Sequence, residues 1–207
     1  MSNLSNKEKS YAIVGFGNFG QALARVFARK NIEVTVASRR EVEVLAPIAR
    51  KIGPSIIAKK LQEAIQADII FLAARFEGFE QIAKLLPNWE GKIIVDVTNA
   101  YGVPPEKIGE QPSSSAVAKA FTGARLVKGF NHLASAVFGG DPAVNGGKRA
   151  VFLASDDQHA AAEIAEIAVK LGFAPIQLGG LAEGGLLVNA RGNTWGPLIF
   201  QDLVKFS

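Results

Sequence analysis

Six residues near the amino terminus have the spacing of a phosphate cradle: Gly15-Phe16-Gly17-Asn18-Phe19-Gly20 reads G-x-G-x-x-G. It follows the apolar run Tyr11 to Val14 directly. It precedes a stretch, Gln21 to Lys30, whose apolar residues Ala22, Leu23, Val26 and Phe27 fall on one helix face. In that context Gly15 permits a tight turn, Gly17 lets backbone N–H groups approach a pyrophosphate, and Gly20 lets the helix pack on the strand. A pyrophosphate would rest on the helix amino terminus, where unpaired N–H groups and the helix dipole favour an anion. The motif alone also fits an incidental turn, and the strand–turn–helix context is what favours dinucleotide binding.

The second β-branched run, Glu33 to Ala37, ends in Ser38-Arg39-Arg40. A reader of NAD carries an acid there to accept from the ribose 2′-hydroxyl. A hydroxyl and two guanidinium groups instead suit a 2′-phosphate, which arginine grips through paired hydrogen bonds. The expected ligand is therefore NADP (NADPH), the alternative being a solvated charge pair at a strand end. Four further polar residues follow apolar runs. Arg75, after Ala73 and Ala74, reads as a phosphate or ring contact or as a solvated loop arginine. Asn99 and Asn131 read as carboxamide-binding residues or as turn caps. His132 reads as a general acid or as a structural residue. Asp156 and Asp157 read as helix caps.

The elements that must position these residues alternate. Apolar runs at Ser55 to Ala58, Asp68 to Ala73 and Lys92 to Val97 are separated by helical stretches around Leu61 to Gln66 and Phe79 to Leu86. Continuous apolar strands between helices indicate a parallel sheet covered on both faces. The fold class is thus α/β, a Rossmann-type doubly wound, mostly parallel sheet with a small C-terminal α/β extension. Tyr101 to Ser115 reads as a loop, Ala116 to Phe121 as helix and Arg125 to Phe130 as strand. Beyond a boundary near Asn131 come a strand at Arg149 to Ala154, a helix face at Ile164, Ile167, Ala168 and Leu171 stopped by Gly172, a strand at Ala174 to Leu178 and a glycine-rich tail. The expected division is a polar tail (1–10), an NADP-binding domain (11–130) and a small C-terminal part (131–207).

Composition narrows the chemistry. The 207 residues include no cysteine and two histidines, His132 and His159, which excludes disulfides and thiolate catalysis and makes a zinc or iron site improbable. The net charge of +4 has no dense basic stripe behind it, so no nucleic-acid partner is expected. The polar amino terminus lacks the apolar core of a signal peptide, and no apolar run approaches the ~20 residues of a membrane span. The expected location is cytoplasmic, with a homodimer as one possible assembly.

These motifs, with Ala73-Ala74-Arg75-Phe76, Gly91 to Asn99, Val127-Lys128-Gly129-Phe130-Asn131, Ser155-Asp156-Asp157 and Trp195-Gly196-Pro197, resemble a known family. It comprises the deazaflavin-dependent (F420) NADP oxidoreductases and the cytoplasmic reductase domain of the STEAP metalloreductases. The resemblance implies NADPH as hydride donor and F420, FAD or FMN as second cofactor or substrate. It places Arg75, Asn99 and Asn131 at the nicotinamide end, and the tail around Arg191 and Trp195 at the second-ring pocket. Trp195 then either stacks on that ring or packs the tail. The segment Gly184-Gly185-Leu186-Leu187 is richer in glycine than the family pattern. The leading expectation is an oxidoreductase passing hydride from NADPH to a flavin-like ring. The alternatives are a reductase of a small carbonyl or imine and a non-enzymatic NADPH-binding sensor.

Overall fold

The computed structural model describes residues 8–109, 111–189 and 203–206. The first half winds through β1 (Tyr11–Val14), α1 (Asn18–Arg29), β2 (Val34–Ala37), α2 (Val42–Ile52), β3 (Ile56–Ala58), α3 (Leu61–Ala64), β4 (Ile69–Leu72), α4 (Phe79–Ala83) and β5 (Ile93–Asp96). The second half adds α5 (Pro105–Ile108), α6 (Ser113–Ala120), β6 (Arg125–Gly129), α7 (Ser135–Phe138), β7 (Ala143–Val144) and β8 (Gly147–Ala154). It closes with α8 (Gln158–Lys170), β9 (Ala174–Gln177), α9 (Gly184–Leu187) and β10 (Val204–Lys205).

Strands β3-β2-β1-β4-β5-β6 lie side by side and parallel, the order of a doubly wound sheet. The sheet does not stop at residue 131. β8 pairs antiparallel with β6, β9 runs parallel to β8, and β7 and β10 pair with the opening residues of β8. The C-terminal extension is therefore an edge of the same sheet. Among the described residues no helix is long and apolar enough to cross a membrane.

The apolar runs are explained by burial on both faces. Successive side chains of a strand point to opposite sides. Ile13, Ile69, Phe71, Ile93 and Val95 enter one core with α1 and α8, while Ala12, Val14, Ile70, Leu72 and Ile94 enter a second core. Ala22, Leu23, Val26 and Phe27 of α1 are all fully buried, as their spacing predicts. Asp157 caps α8 by accepting from the Ala160 N–H at 2.9 Å, and Asp156 accepts from the Leu181 N–H at 2.8 Å.

One helix is not assigned from the sequence, and one boundary is corrected. The stretch Val42–Ile52 is helical although Pro47 lies inside it, a position whose missing N–H removes one helix bond. The helix still forms because Leu45 and Ala49, one turn apart, are buried in the first core. Within the expected loop at 101–115, α5 forms a single turn and α6 begins three residues early, at Ser113. The α6 opening is held from outside: the Asn189 Oδ1 accepts from both the Ser113 N–H (3.2 Å) and the Ser113 hydroxyl (3.0 Å).

Candidate functional site

The carboxyl ends of β1, β4, β5 and β6 open into one cleft of about 820 Å³. Its lining includes Gly17, Asn18 and Phe19 from the glycine loop, Ala73, Ala74, Arg75 and Phe76 after β4, and Val97, Thr98, Asn99 and Tyr101 after β5. Asn131, His132 and Leu133 after β6, then Ala134, Ser135 and Val137, complete it. Open α/β sheets bind ligands at this edge, where the chain order reverses between β1 and β4.

The glycine loop has the geometry that its three glycines require. Gly15 sits at φ +107°, and a Cβ there would overlap the backbone of Ala73 and Ala74. A Cβ on Gly20 would overlap the Gly15 carbonyl. Gly17 differs: a Cβ there would meet nothing within 4 Å. Its missing side chain leaves the surface clear rather than relieving a clash. Gly17 is also the amino-terminal cap residue of α1, which has no side-chain cap and no acid in its first turn. The positive end of the helix dipole is thus left open to an anion. A dinucleotide pyrophosphate fits this cradle.

The two arginines differ. Arg40 Nη2 donates to the Phe16 carbonyl at 2.8 Å, and the Arg40 N–H donates to the Ser38 hydroxyl at 3.1 Å. Arg40 therefore braces the glycine loop from the end of β2. Arg39 is exposed, with no ion-pair partner among the described residues, and is the freer of the two for a phosphate. Replacing Arg40 by alanine should weaken NADPH and NADH together, about three- to tenfold in calorimetry, because the loop serves both; one lost hydrogen bond has about this effect. A loss confined to NADPH would make Arg40 a phosphate ligand instead.

Arg75 is exposed at the cleft and opens a 3-10 turn, Phe76–Gly78, with no ion-pair partner among the described residues. Asn99 and Asn131 are brought into contact. The Asn99 Nδ2 donates to the Asn131 carbonyl (2.9 Å), and the Asn131 Nδ2 donates to the Asn99 Oδ1 (2.9 Å) and the Val188 carbonyl (2.8 Å). Asn131 is buried and ties β5, β6 and α9 together, whereas Asn99 is only partly buried. His132 is buried, its ring centroid 4.5 Å from that of Phe152. Trp195 and Arg191 lie outside the described residues.

Phe130 delivers Asn131 and His132 to the cleft. It takes φ +61°, a left-handed conformation that costs a bulky residue of order 1–3 kcal/mol. Its fully buried ring holds it there, edge-on to Phe71 (6.0 Å) and to Phe138 (5.8 Å). A bulky residue in this region is an observation that points to function.

Sequence reasoning missed the groups beneath the floor of the cleft. Asp96 and Lys128 are buried partners across β5 and β6, with Lys128 Nζ 3.2 Å from Asp96 Oδ2. Lys128 Nζ also donates to the Thr98 carbonyl. Asp96 Oδ1 accepts from the Thr98 N–H (2.9 Å) and the Thr98 hydroxyl (2.7 Å). Burial pushes the Lys128 ammonium below the usual lysine range, and the Asp96 carboxylate partly restores it. Two charges 32 residues apart on different strands leave no local pattern in the sequence. Tyr101, about half exposed at the cleft, was also missed.

Residues 10–100 match the family model described as NADP oxidoreductase, coenzyme F420-dependent. Among curated proteins, the chain is 27% identical over 187 residues to Metalloreductase STEAP3 of Rattus norvegicus and 26% identical to Metalloreductase STEAP2 of Homo sapiens. Each alignment covers 88% of this chain but 36% of the relative, so the chain spans about a third of their length. Among solved structures, the hypothetical protein SMa0349 from Sinorhizobium meliloti superposes with a TM-score of 0.86 at 33% identity, covering 96% of both chains. A candidate F420-dependent NADP-reductase from Arthrobacter sp. FB24 shares the fold at 23% identity and TM-score 0.69, over 84% of this chain and 86% of that one. The glycine loop, the arginine pair and the first three strand ends of the cleft all lie inside the segment that matches the model of the coenzyme F420-dependent NADP oxidoreductases, and the whole chain shares its fold with the Sinorhizobium meliloti protein.

Proposed function

We propose that this chain is an NADPH-dependent oxidoreductase whose hydride acceptor is a flavin or deazaflavin (F420, FMN or FAD) ring. The observation that carries it is the cleft in which the uncapped end of α1, the exposed Arg75 and the strand-end carboxamide of Asn99 converge. The Gly15–Gly20 loop binds the pyrophosphate, Arg39 with Ser38 takes the 2′-phosphate, and Ala73 to Arg75 and Asn99 border the nicotinamide. When bound, the nicotinamide supplies the hydride. The protein's task is then to bind, orient and exclude water, because reacting atoms must be held about 3–3.5 Å apart. Phe19, Phe76, Val97, Leu133 and Val137 give the cleft the apolar walls for this. Its volume lies within the range of ligand sites, roughly 300–1,000 Å³, and so has room for a bound nucleotide. The C-terminal part, 131–207, completes the second-ring pocket.

The test is anaerobic mixing of the protein and NADPH with FMN, FAD or F420 in turn, following the loss of NADPH absorbance. At least one ring should be reduced at catalytic protein concentration. Trp195→Ala should raise the apparent KM for that ring several-fold, since ring stacking contributes about 0.5–1.5 kcal/mol beyond burial, and should leave NADPH affinity unchanged. Reduction of a small carbonyl or imine, but of no flavin, would replace this reading with a direct reductase. Binding without turnover on any acceptor would make the chain an NADPH sensor.

A further inference from the structure

A buried ion pair needs a reason. Taking two charges out of water is costly, and apolar residues of the same volume often support a fold equally well. The Lys128–Asp96 pair is almost wholly removed from solvent, side chains 1% and 0% exposed, inside a sheet whose other contacts are largely apolar. Stability alone does not account for it. Its hydrogen bonds all converge on one neighbour. Asp96 takes the N–H and hydroxyl of Thr98, and Lys128 takes the Thr98 carbonyl, so this peptide is clamped from both ends. Thr98 lines the cleft, and the next residue is Asn99. The Asn99 side chain is locked in turn by its reciprocal bonds to Asn131, which is anchored on the Val188 carbonyl. A continuous polar chain thus runs from the buried pair to the surface of the cleft. Main-chain pairing of β5 with its neighbours ends at the Val97 N–H, which donates to the Leu72 carbonyl at 3.3 Å. Without the clamp, the segment from Thr98 onward would have no ladder to hold it.

We propose that Lys128 and Asp96 are positioning residues: they fix the Thr98 peptide, and through it Asn99, as the rigid wall against which the hydride-donating ring of NADPH is aligned. This rests on the nucleotide reading above. The glycine loop and the arginines, on the other side of β1, anchor the adenosine half without help from the pair. The pair therefore acts on the ring and not on the anchor.

The test separates the two halves of the ligand. NADPH carries both, and adenosine 2′,5′-bisphosphate carries only the anchor. Lys128→Met with Asp96→Asn removes both charges, keeps the volume and leaves Thr98 an oxygen acceptor. In this variant the Kd for adenosine 2′,5′-bisphosphate should stay within about twofold of the unmodified chain. The fluorescence lifetime of the nicotinamide at saturating NADPH should fall most of the way back to that of free NADPH. Thr98→Val is gentler, because it removes only the hydroxyl bond to Asp96 and leaves both charges paired, and should give the same one-sided change in smaller measure; it decides the matter if the double variant does not fold. An unchanged lifetime overturns the proposal, and so does a parallel loss of bisphosphate affinity, which would mean general loosening. If the unmodified chain binds neither ligand, the nucleotide reading itself fails. That outcome is distinct, because it is seen without any substitution.

Discussion

Gly17→Val should abolish binding of NADPH and NADH alike, by at least about 100-fold (roughly 2.7 kcal/mol), while the protein stays folded. The reasoning uses two properties of one position. Gly17 lies at φ −85°, an ordinary backbone conformation for any residue, and a Cβ there meets no atom within 4 Å. The folded chain loses little by accepting a side chain. The same side chain would stand over the open amino terminus of α1, where the pyrophosphate must approach the N–H groups. Gly20→Ala is the contrasting control. Its Cβ would overlap the Gly15 carbonyl, so this variant should lose stability first and binding only as a consequence. Circular dichroism and calorimetry on the two variants check both halves. A folded Gly17→Val protein that binds NADPH normally would place the nucleotide elsewhere.

Arg39→Ala should weaken NADPH by about 10- to 100-fold and leave NADH nearly unchanged, the value of one charge-assisted hydrogen bond of roughly 1.5–3 kcal/mol. The structure sharpens this expectation beyond the sequence. With Arg40 bonded to the Phe16 carbonyl and Arg39 exposed and unpaired among the described residues, discrimination falls on Arg39. The effect should shrink as salt rises, because an exposed guanidinium–phosphate contact is screened. Equal losses for both nucleotides, measured by calorimetry, would exclude the 2′-phosphate assignment.

The sequence by itself determined the parallel core and the location of the first half of the cleft. Strands buried on both faces cannot alternate polar with apolar, so β1, β4 and β5 stand out as apolar runs. The glycine loop is equally local: its three glycines act within one turn, so their spacing carries the geometry. What the tertiary structure decided depends on register and on contacts across the chain. The parallel alignment of β5 with β6 puts Asp96 opposite Lys128. No local pattern marks that pair, because the two charges lie on different strands and only the register between them brings them opposite each other. Helix α2 forms although Pro47 lies inside it, because burial of Leu45 and Ala49 overrides the local cost. The difference between Arg39 and Arg40 could not be read either. Adjacent residues share a composition and a motif, yet only the fold brings one of them within 2.8 Å of a carbonyl 24 residues away. Asn99 and Asn131 were each legible as strand-end polar groups. That they bond each other depended on the sheet placing β5 beside β6 and on the buried Phe130 ring holding the turn that follows.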